Sequence, residues 1–463
     1  MSNAAVQTAK GAPKIKTSTG VVTTKEMLGH ALGGVGQNTI FALWSGYMMM
    51  FYTDVFGLTA GFVGALFFGA RVWDAINDPM MGVLADRTKT KHGRFRPWLL
   101  FMPVPVAICL VLNFTVPNLS GNMAMVYATI TYIMMSMAFT AVDIPYWSMP
   151  AAMTSDPNVR TKIFAFSNMG TNLASTVAGA TIVPMISMFG GDDMKKGFFW
   201  TAVTFGIIGC LLYWTCFKLV KEHVPATTEK FSFKLAMKSL ATNKPLMLVM
   251  ITGLVTNLAF IVKSTLGPYY TRYTLGDMGI MSILAMCSLP CIIIGTLLAP
   301  MLCKKFGKKR SLIGLNVCGL IVGILYFFFA NATIPLVIVF TALQTMVVGG
   351  AMVIITSMTA DTIEYAEWKT GQRNEGVITS TRTLITKFGM AITGVAVSTV
   401  LVVVNYQPNV DQTIQTMTAF HSIASVVPAV VMMIGCIPLY FYDLTEEKHA
   451  EIMREIEARK NRR

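Results

Sequence analysis

The stretch RVWDAINDP, residues 71–79, places four charged or carboxamide side chains inside a run that otherwise reads as a membrane span. Apolar segments on both sides, FVGALFFGA and MMGVLA, extend the run over residues 62–85, so the polar groups lie within its length and not at its edge. Ionisable groups at that depth cost several kcal/mol each and persist mainly where they line a cavity or a pathway. The stretch therefore predicts a membrane helix with a functional face.

Four side chains of this stretch share one helical face, because they are three or four residues apart: Arg71, Asp74, Asn77 and Asp78. Helical neighbours at that spacing are about 6 Å apart. Two carboxylates and an amide oxygen are hard ligands of the kind that suit a small cation. We interpret Asp74, Asp78 and Asn77 as a cation or proton site, in which the two carboxylates hold the metal if the cation is Na⁺. The alternative, an Arg–Asp clamp between helices, leaves one carboxylate without a partner.

The composition excludes a soluble protein of this length: 54% of the 463 residues are hydrophobic and 13% are charged. Apolar runs repeatedly exceed the roughly 18 residues that span a bilayer, which predicts an all-α membrane protein. A net charge of +14 would suit a nucleic-acid ligand, but the basic residues fall in short loops between apolar runs. We therefore exclude nucleic acid as a partner. The eight cysteines lack metal-ligand spacing, and no cofactor is predicted.

The apolar runs predict twelve helices, at 28–53, 60–85, 97–116, 122–153, 163–188, 198–219, 244–270, 277–302, 311–331, 334–360, 376–404 and 416–442. The predicted organisation is a tail at 1–27, a six-helix bundle at 28–219, a middle loop at 220–243, a second six-helix bundle at 244–442 and a tail at 443–463. The residues before the first span lack the short apolar core of a signal peptide. We expect an N-terminal tail there.

Basic residues give the expected orientation. Thirty of the 37 Lys and Arg lie in the tails and in the loops on the side of the termini, and three lie in the opposite loops. The positive-inside rule therefore predicts that both termini are cytoplasmic. The remaining four basic residues lie inside predicted spans: Arg71, Lys263, Arg382 and Lys387.

An internal repeat accompanies the two predicted bundles. A basic loop that contains glycine follows the second helix of each, KTKHGRFRP at 89–97 and CKKFGKKRS at 303–311. Parallel repeats of six helices are typical of transporters whose substrate and coupling ion bind near mid-membrane between the halves.

The fourth predicted span carries Asp143-Ile144-Pro145-Tyr146-Trp147. Asp143 and Trp147 are four apart and project together. A carboxylate that accepts hydroxyl groups, beside a large apolar ring, is suited to a sugar, which has polar edges and apolar faces. Tyr146 and Thr140 supplement this site. The alternative is a Pro-kinked helix in which Asp143 pairs with Arg71, Arg382 or Lys387.

Five more polar positions lie in the C-terminal bundle. Thr379, Thr383 and Lys387 form a stripe at spacing four on the eleventh span, while Arg382 points about 140° away from Lys387. With Lys263 in the seventh span, three basic side chains facing one cavity would favour an anionic substrate. Alternatively, Lys263 reaches an interface and Arg382 pairs with an aspartate.

The segment 361–376 carries acidic residues on the side of the termini. Asp361 and Glu364 are predicted to pair with the basic loop 303–311, which includes Arg310, and to close that face of an outward-facing state. A solvated loop is the alternative.

An ordered set of motifs resembles the glycoside-pentoside-hexuronide:cation symporters, the melibiose permease family of the major facilitator superfamily. The matching segments are FYTDVFG (51–57), ARVWDAINDP (70–79), MGVLADRTKTKHGRFRPW (81–98), VDIPYWS (142–148) and ADTIEYAEWKTGQRNEG (360–376). Together with the order of the spans they cover essentially the whole chain.

The resemblance implies roles for particular residues. Asp74 and Asp78 match the carboxylates associated with Na⁺, Li⁺ or H⁺, with Asn77 and Thr140 beside them. Asp143, Trp147 and Lys387 match the groups that engage or adjoin the sugar. The chain departs from the melibiose permease where that protein has a Lys–Asp pair, because Gln37 and Asn38 stand there. A sugar-binding arginine of the fifth helix is also replaced, near Ser167 or Asn168.

These departures favour a substrate other than a melibiose-like galactoside. We expect a cation-coupled sugar symporter working by alternating access, with an acidic sugar (a hexuronide, an oligouronide or a sulfonated sugar) as the substrate and a neutral xyloside as the alternative. A related branch with similar motifs moves lysolipids. We expect no enzyme, because no nucleophile–base pair or metal-ligand set lies outside the spans. A monomer in the bacterial inner membrane is expected.

Overall fold

The structure, a computed structural model, describes residues 22–154, 156–224, 243–330, 333–370 and 375–461. The helices of the first half are α1 (Thr24–Met50), α2 (Ala60–Arg87), α3 (Arg96–Phe101), α4 (Pro103–Asn113), α5 (Asn122–Met153), α6 (Pro157–Gly190) and α7 (Met194–Leu219). Those of the second half are α8 (Lys244–Tyr269), α9 (Ile280–Phe306), α10 (Lys308–Phe329), α11 (Ile334–Thr370), α12 (Glu375–Val403), α13 (Ile414–Ala424), α14 (Val426–Ile434) and α15 (Ile437–Tyr440). A last helix, α16 (Glu446–Asn461), follows. The predicted tail at 1–27 lies largely outside these residues.

These helices form twelve spans, because α3 with α4 makes the third and α13 with α14 and α15 makes the twelfth. Within the described ranges, seven helices have the length and hydropathy of a span on their own, and a bent pair, Ile414–Ala424 with Val426–Tyr440, makes an eighth. Helices α1 and α2 are not among them. Glycines and polar residues lower the hydropathy of α1, and the charged groups around Asp74 lower that of α2. The chain is therefore a multi-pass, all-α membrane protein.

Two predicted spans are broken where prolines interrupt the hydrogen-bond ladder. The third, predicted as one helix over 97–116, breaks after Met102, because Pro103 has no N–H. The twelfth bends by 50° at Ser425, three residues before Pro428. Gln344 of α11 donates a hydrogen bond of 2.6 Å to the carbonyl oxygen of Ser425 and so satisfies a group that the bend exposes.

Two segments predicted as loop or tail are helical. Helix α11 runs ten residues beyond the predicted end at 360, so Asp361 and Glu364 lie on a helix and not on a loop. The predicted C-terminal tail contains α16, whose Ile452 and Ile456 are buried in one apolar cluster with residues of α11. Alternation of charged residues with these two isoleucines was the signal for an amphipathic helix.

The first helix of each half ends in the same way. A π-helical turn, Phe51–Val55, follows α1, and another, Tyr270–Thr274, follows α8. Glycines with positive φ come next, Gly57 at +82° and Gly276 at +77°, a conformation that other residues rarely adopt. This correspondence supports the internal repeat that the basic loops indicated.

The two halves meet along three helix pairs, α2 with α12, α6 with α9 and α1 with α8. Small residues let α2 and α12 approach closely: a Cβ added at Gly394 would lie 2.9 Å from the Cβ of Phe67. We call the end of the bundle where α1 begins and α16 lies the terminal face, and the end where α1 stops the opposite face.

Candidate functional site

Helix α2 carries the predicted cation site at the middle of its length. Asp74 is 7% exposed, and Arg71 donates a hydrogen bond of 2.8 Å to its Oδ2. Ser136 of α5 donates to Oδ1 of the same carboxylate. The guanidinium of Arg71 also lies over the ring of Trp44, at 5.8 Å from its centroid. Asp74 therefore joins α2 to α5, and Arg71 takes part as an intrahelical partner.

The remaining cation candidates lie on α2 and α5, the two helices that Asp74 joins. Asp78 and Asn77 are half-buried one turn further along α2, and Thr140 is buried on α5. Thr140 shares the α2-facing side of α5 with Ser136, because they are four residues apart. The Nδ2 of Asn77 is buried without a hydrogen-bond partner among the described atoms. Helices α2 and α5 thus carry carboxylate, amide and hydroxyl oxygens close in sequence to the contact between Asp74 and Ser136, a donor set suited to Na⁺ or to a proton.

Ser136 was missed by the sequence analysis. Its spacing of four from Thr140 was the available signal, since it placed a second hydroxyl on the same face of the same helix.

The predicted sugar site joins α1 and α5. Gln37 donates to Oδ1 of Asp143 through its Nε2, while its own Oε1 is buried without a described partner. Trp147, one turn after Asp143, stacks on Phe164 of α6 with ring centroids 6.3 Å apart. Asn38 accepts a hydrogen bond of 3.2 Å from Ser175 of α6. A carboxylate, an unpaired amide oxygen and an aromatic face are therefore gathered between α1, α5 and α6.

Tyr146 has surroundings different from those of its neighbours. It is fully buried, and its hydroxyl donates a hydrogen bond of 2.9 Å to the backbone oxygen of His30. Its ring packs against the glycines of α1. The structure thus directs this predicted sugar-binding hydroxyl into the contact between α1 and α5.

Lys263 points into the C-terminal half. Its amine donates to Oε1 of Gln344 and lies 5.9 Å from the ring centroid of Tyr326. Lys263 and Gln344 line a cavity of about 50 Å³. That volume suits one or two water molecules and not a sugar ring. The other basic candidates of this half, Arg382 and Lys387, lie with Thr383 outside the side chains that the structure describes.

The acidic residues predicted to gate the terminal face contact groups of their own half. Lys308 lies 2.6 Å from Asp361, as the predicted pairing with loop 303–311 requires. Glu364 accepts instead from His449 of α16. Arg310 is exposed. In this conformation these contacts fasten α10, α11 and α16 together.

A dense network joins the two halves at the opposite face. Asp54, in the π-turn after α1, accepts a 3.1 Å hydrogen bond from Arg272, in the corresponding turn after α8, and one of 2.6 Å from Tyr273. Tyr406, after α12, also donates to Asp54. Asn409 donates to the backbone oxygen of Asp54 at 2.6 Å. The opposite face is therefore closed.

Two six-helix halves, an intramembrane ionisable site on α2 and a closure at one face define a membrane transporter of the major facilitator class. The model of the MFS/sugar transport protein family matches residues 29–446. The chain belongs to this family.

Curated relatives and solved structures agree with this assignment. An isoprimeverose transporter of Lactiplantibacillus pentosus is 31% identical, over 93% of each chain. A glucuronide carrier protein homolog of Escherichia coli is 32% identical, over 94% of this chain and 96% of its own. The fold matches that of a bacterial homolog of the lysosomal transporter Spinster, with a TM-score of 0.65 at 11% identity, over 91% of this chain and 97% of that one.

Proposed function

We propose that the chain is a cation-coupled symporter of a sugar or glycoside that works by alternating access. The observation that carries this proposal is the carboxylate pair of α2. Asp74 is buried at mid-helix against Arg71 and Ser136, with Asp78 one turn away. A buried carboxylate with exchangeable neighbours suits a small cation or a proton, and no cofactor is required.

The substrate proposed first is an anionic glycoside such as a glucuronide. The chain is similar to a glucuronide carrier homolog. Asn38 is neutral where the resemblance led us to expect an acid, so one negative charge that would repel such a substrate is missing. Gln37 adds an amide oxygen beside Asp143, and an amide oxygen accepts sugar hydroxyls without a net charge.

A neutral pentoside is the second candidate substrate, and one observation favours it. The amine of Lys263 lies against Gln344 inside the C-terminal half, which leaves one basic group fewer for an anion between the halves. The similarity to an isoprimeverose transporter points the same way.

We place the terminal face in the cytoplasm of a bacterial inner membrane, as the basic loops predict. The conformation then faces the cytoplasm, because the Asp54 network closes the opposite face. The halves would rock about α2, α6, α9 and α12, and the network around Asp54 would open when the site faces outward.

Uptake into proteoliposomes tests the function. A Na⁺ gradient or a pH gradient should drive concentrative uptake of 4-nitrophenyl glucuronide or of 4-nitrophenyl xyloside. The Asp74→Asn and Asp78→Asn variants should lose accumulation. Asp192→Asn, at an exposed aspartate of the opposite face, is the control and should behave as the wild type. Accumulation unchanged in both α2 variants would refute cation coupling at this site.

A further inference from the structure

Helix α5 has a gap in its hydrogen bonds beside the proposed sugar site. Pro150 has no N–H, so it cannot donate to the carbonyl oxygen of Tyr146, four residues earlier. Tyr146 is fully buried, so an unpaired carbonyl oxygen there would be destabilising. A donor from outside the helix is required.

His30 of α1 supplies that donor. Its Nε2 lies 3.1 Å from the carbonyl oxygen of Tyr146, and its Nδ1 lies 2.6 Å from Oγ of Ser167 on α6. A carbonyl oxygen can only accept, so we assign the ring proton to Nε2. On the neutral ring Nδ1 is then an acceptor for the Ser167 hydroxyl, whose one proton is shared with the carbonyl oxygen of Ile163 at 2.8 Å. One fully buried imidazole thus ties together α1, α5 and α6.

The side chains of His30 and Tyr146 also pack closely against each other. The rings of His30 and Tyr146 stack with centroids 4.3 Å apart and planes 14° from parallel. The Tyr146 hydroxyl donates back to the backbone oxygen of His30 at 2.9 Å. Glycines make room for this contact, because a Cβ at Gly34 would lie 2.5 Å from the Tyr146 hydroxyl and one at Gly33 would lie 2.9 Å from its ring.

The segment held in this way carries the proposed sugar-binding groups. Trp147 follows Tyr146 directly, and their rings meet edge to face at 5.1 Å. Asp143 lies one turn earlier. Any rotation of the segment 143–150 would therefore move the indole of Trp147 and the carboxylate of Asp143 relative to Gln37.

We propose that His30 is a positioning residue for sugar binding, which closes the hydrogen-bond gap made by Pro150 and so fixes Asp143 and Trp147. This role rests on the proposed function. The imidazole does not contact the sugar. It acts through the Tyr146 carbonyl, and its effect should therefore disappear when that carbonyl gains another donor.

The test uses hydrogen exchange of residues 141–153, measured by mass spectrometry on the full-length protein without sugar. His30→Phe keeps the ring and removes both hydrogen bonds, and it should speed exchange of this segment about tenfold. Pro150→Ala restores a backbone N–H opposite the Tyr146 carbonyl. The double variant His30→Phe with Pro150→Ala should return to within about twofold of the wild-type rate. His92→Phe, in the loop before α3, is the control and should leave the segment unchanged.

A second pair of variants tests the proposal even if His30→Phe does not fold. His30→Gln extends an amide nitrogen about as far as Nε2 and should keep slow exchange. His30→Asn reaches only about as far as Nδ1 and should resemble His30→Phe. The proposal is overturned if His30→Gln and His30→Asn exchange at the same rate, or if Pro150→Ala does not reverse the faster exchange of His30→Phe. In either case the ring of His30 acts through packing alone.

Binding of 4-nitrophenyl glucuronide and 4-nitrophenyl xyloside then separates this proposal from the general function. His30→Phe should weaken the affinity for the glycoside about tenfold, and the double variant should recover it. Unchanged affinity despite a loosened segment would overturn the positioning role. A wild type that binds neither probe would refute the choice of substrate, and the exchange experiment would still test the hydrogen bond.

Discussion

The donors around a carboxylate distinguish the role of Asp54 from that of Asp74. A carboxylate has about four acceptor sites. Asp54 accepts from Arg272, Tyr273, Tyr406 and the hydroxyl of Thr53, so its sites are filled by the protein. Asp74 accepts from Arg71 and Ser136. Asp54 is thus suited to holding the halves together, and Asp74 to exchanging a partner.

Asp54→Asn should therefore loosen the opposite face. The amide loses the charge that Arg272 pairs with, and hydrogen bonds to a charged group contribute about 1.5–3 kcal/mol. The distance between spin labels at Leu119 and Asp411 can be measured in a cysteine-free background. In Asp54→Asn, the population of molecules with the longer label-to-label distance should rise by about tenfold or more. Asp277→Asn, at an exposed aspartate of the same face, is the control. A distance distribution identical to that of the wild type would rule out this gate.

Gly34→Ala tests the contact between α1 and Tyr146. The added methyl group would meet the Tyr146 hydroxyl at 2.5 Å, and overpacking of this kind costs about 1–3 kcal/mol. We expect a lower melting temperature in detergent and weaker glycoside binding. Gly46→Ala, on the same helix with open space around the glycine, should change neither. Equal behaviour of the two variants would contradict the packing described here.

Single residues were predictable where their spacing lay within one helix. The face formed by Asp74, Asn77 and Asp78, and the pair Asp143 and Trp147, follow from helical periodicity alone. Contacts between helices were not predictable in this way. The hydrogen bond from Gln37 to Asp143 depends on how α1 packs against α5, which a single sequence does not specify.

At the scale of the helices, apolar length predicted the spans and prolines determined their breaks. The fourth span begins and ends as predicted, at Asn122 and Met153, because polar loops border it on both sides. The breaks after Met102 and at Ser425 depend on whether neighbouring side chains satisfy the freed backbone groups. Pro145 and Pro150 lie inside an unbroken α5, where His30 provides such a group.

Helix α16 should contribute to the stability of the C-terminal half. Ile452 is buried in a cluster with residues of α11, and truncation of a buried isoleucine to alanine costs about 2–5 kcal/mol. We expect Ile452→Ala to lower the melting temperature in detergent by several degrees. Glu457→Ala, on the exposed side of the same helix, should leave it unchanged. If the two variants have the same melting temperature, α16 does not pack against α11 as described.

At the scale of the whole molecule, the internal repeat relates the two halves to each other and also provides the contacts that close the opposite face. The corresponding π-turns of the two halves carry Asp54 in one and Arg272 in the other, so the repeat places opposite charges face to face. The sequence predicted two six-helix halves from matching loops, but not which face is closed. That choice depends on contacts between the halves that form in one conformation and break in another.

The most direct test of the account is binding of 4-nitrophenyl glucuronide and 4-nitrophenyl xyloside by the purified protein, with and without Na⁺ and at two pH values. Coupling between two sites is typically about 1–3 kcal/mol and is reciprocal. We expect Na⁺ or a proton to raise the affinity for one glycoside about fivefold or more, and Asp74→Asn to remove that increase. Glycoside affinity that depends neither on Na⁺ nor on pH would contradict the cation-coupled symport proposed here.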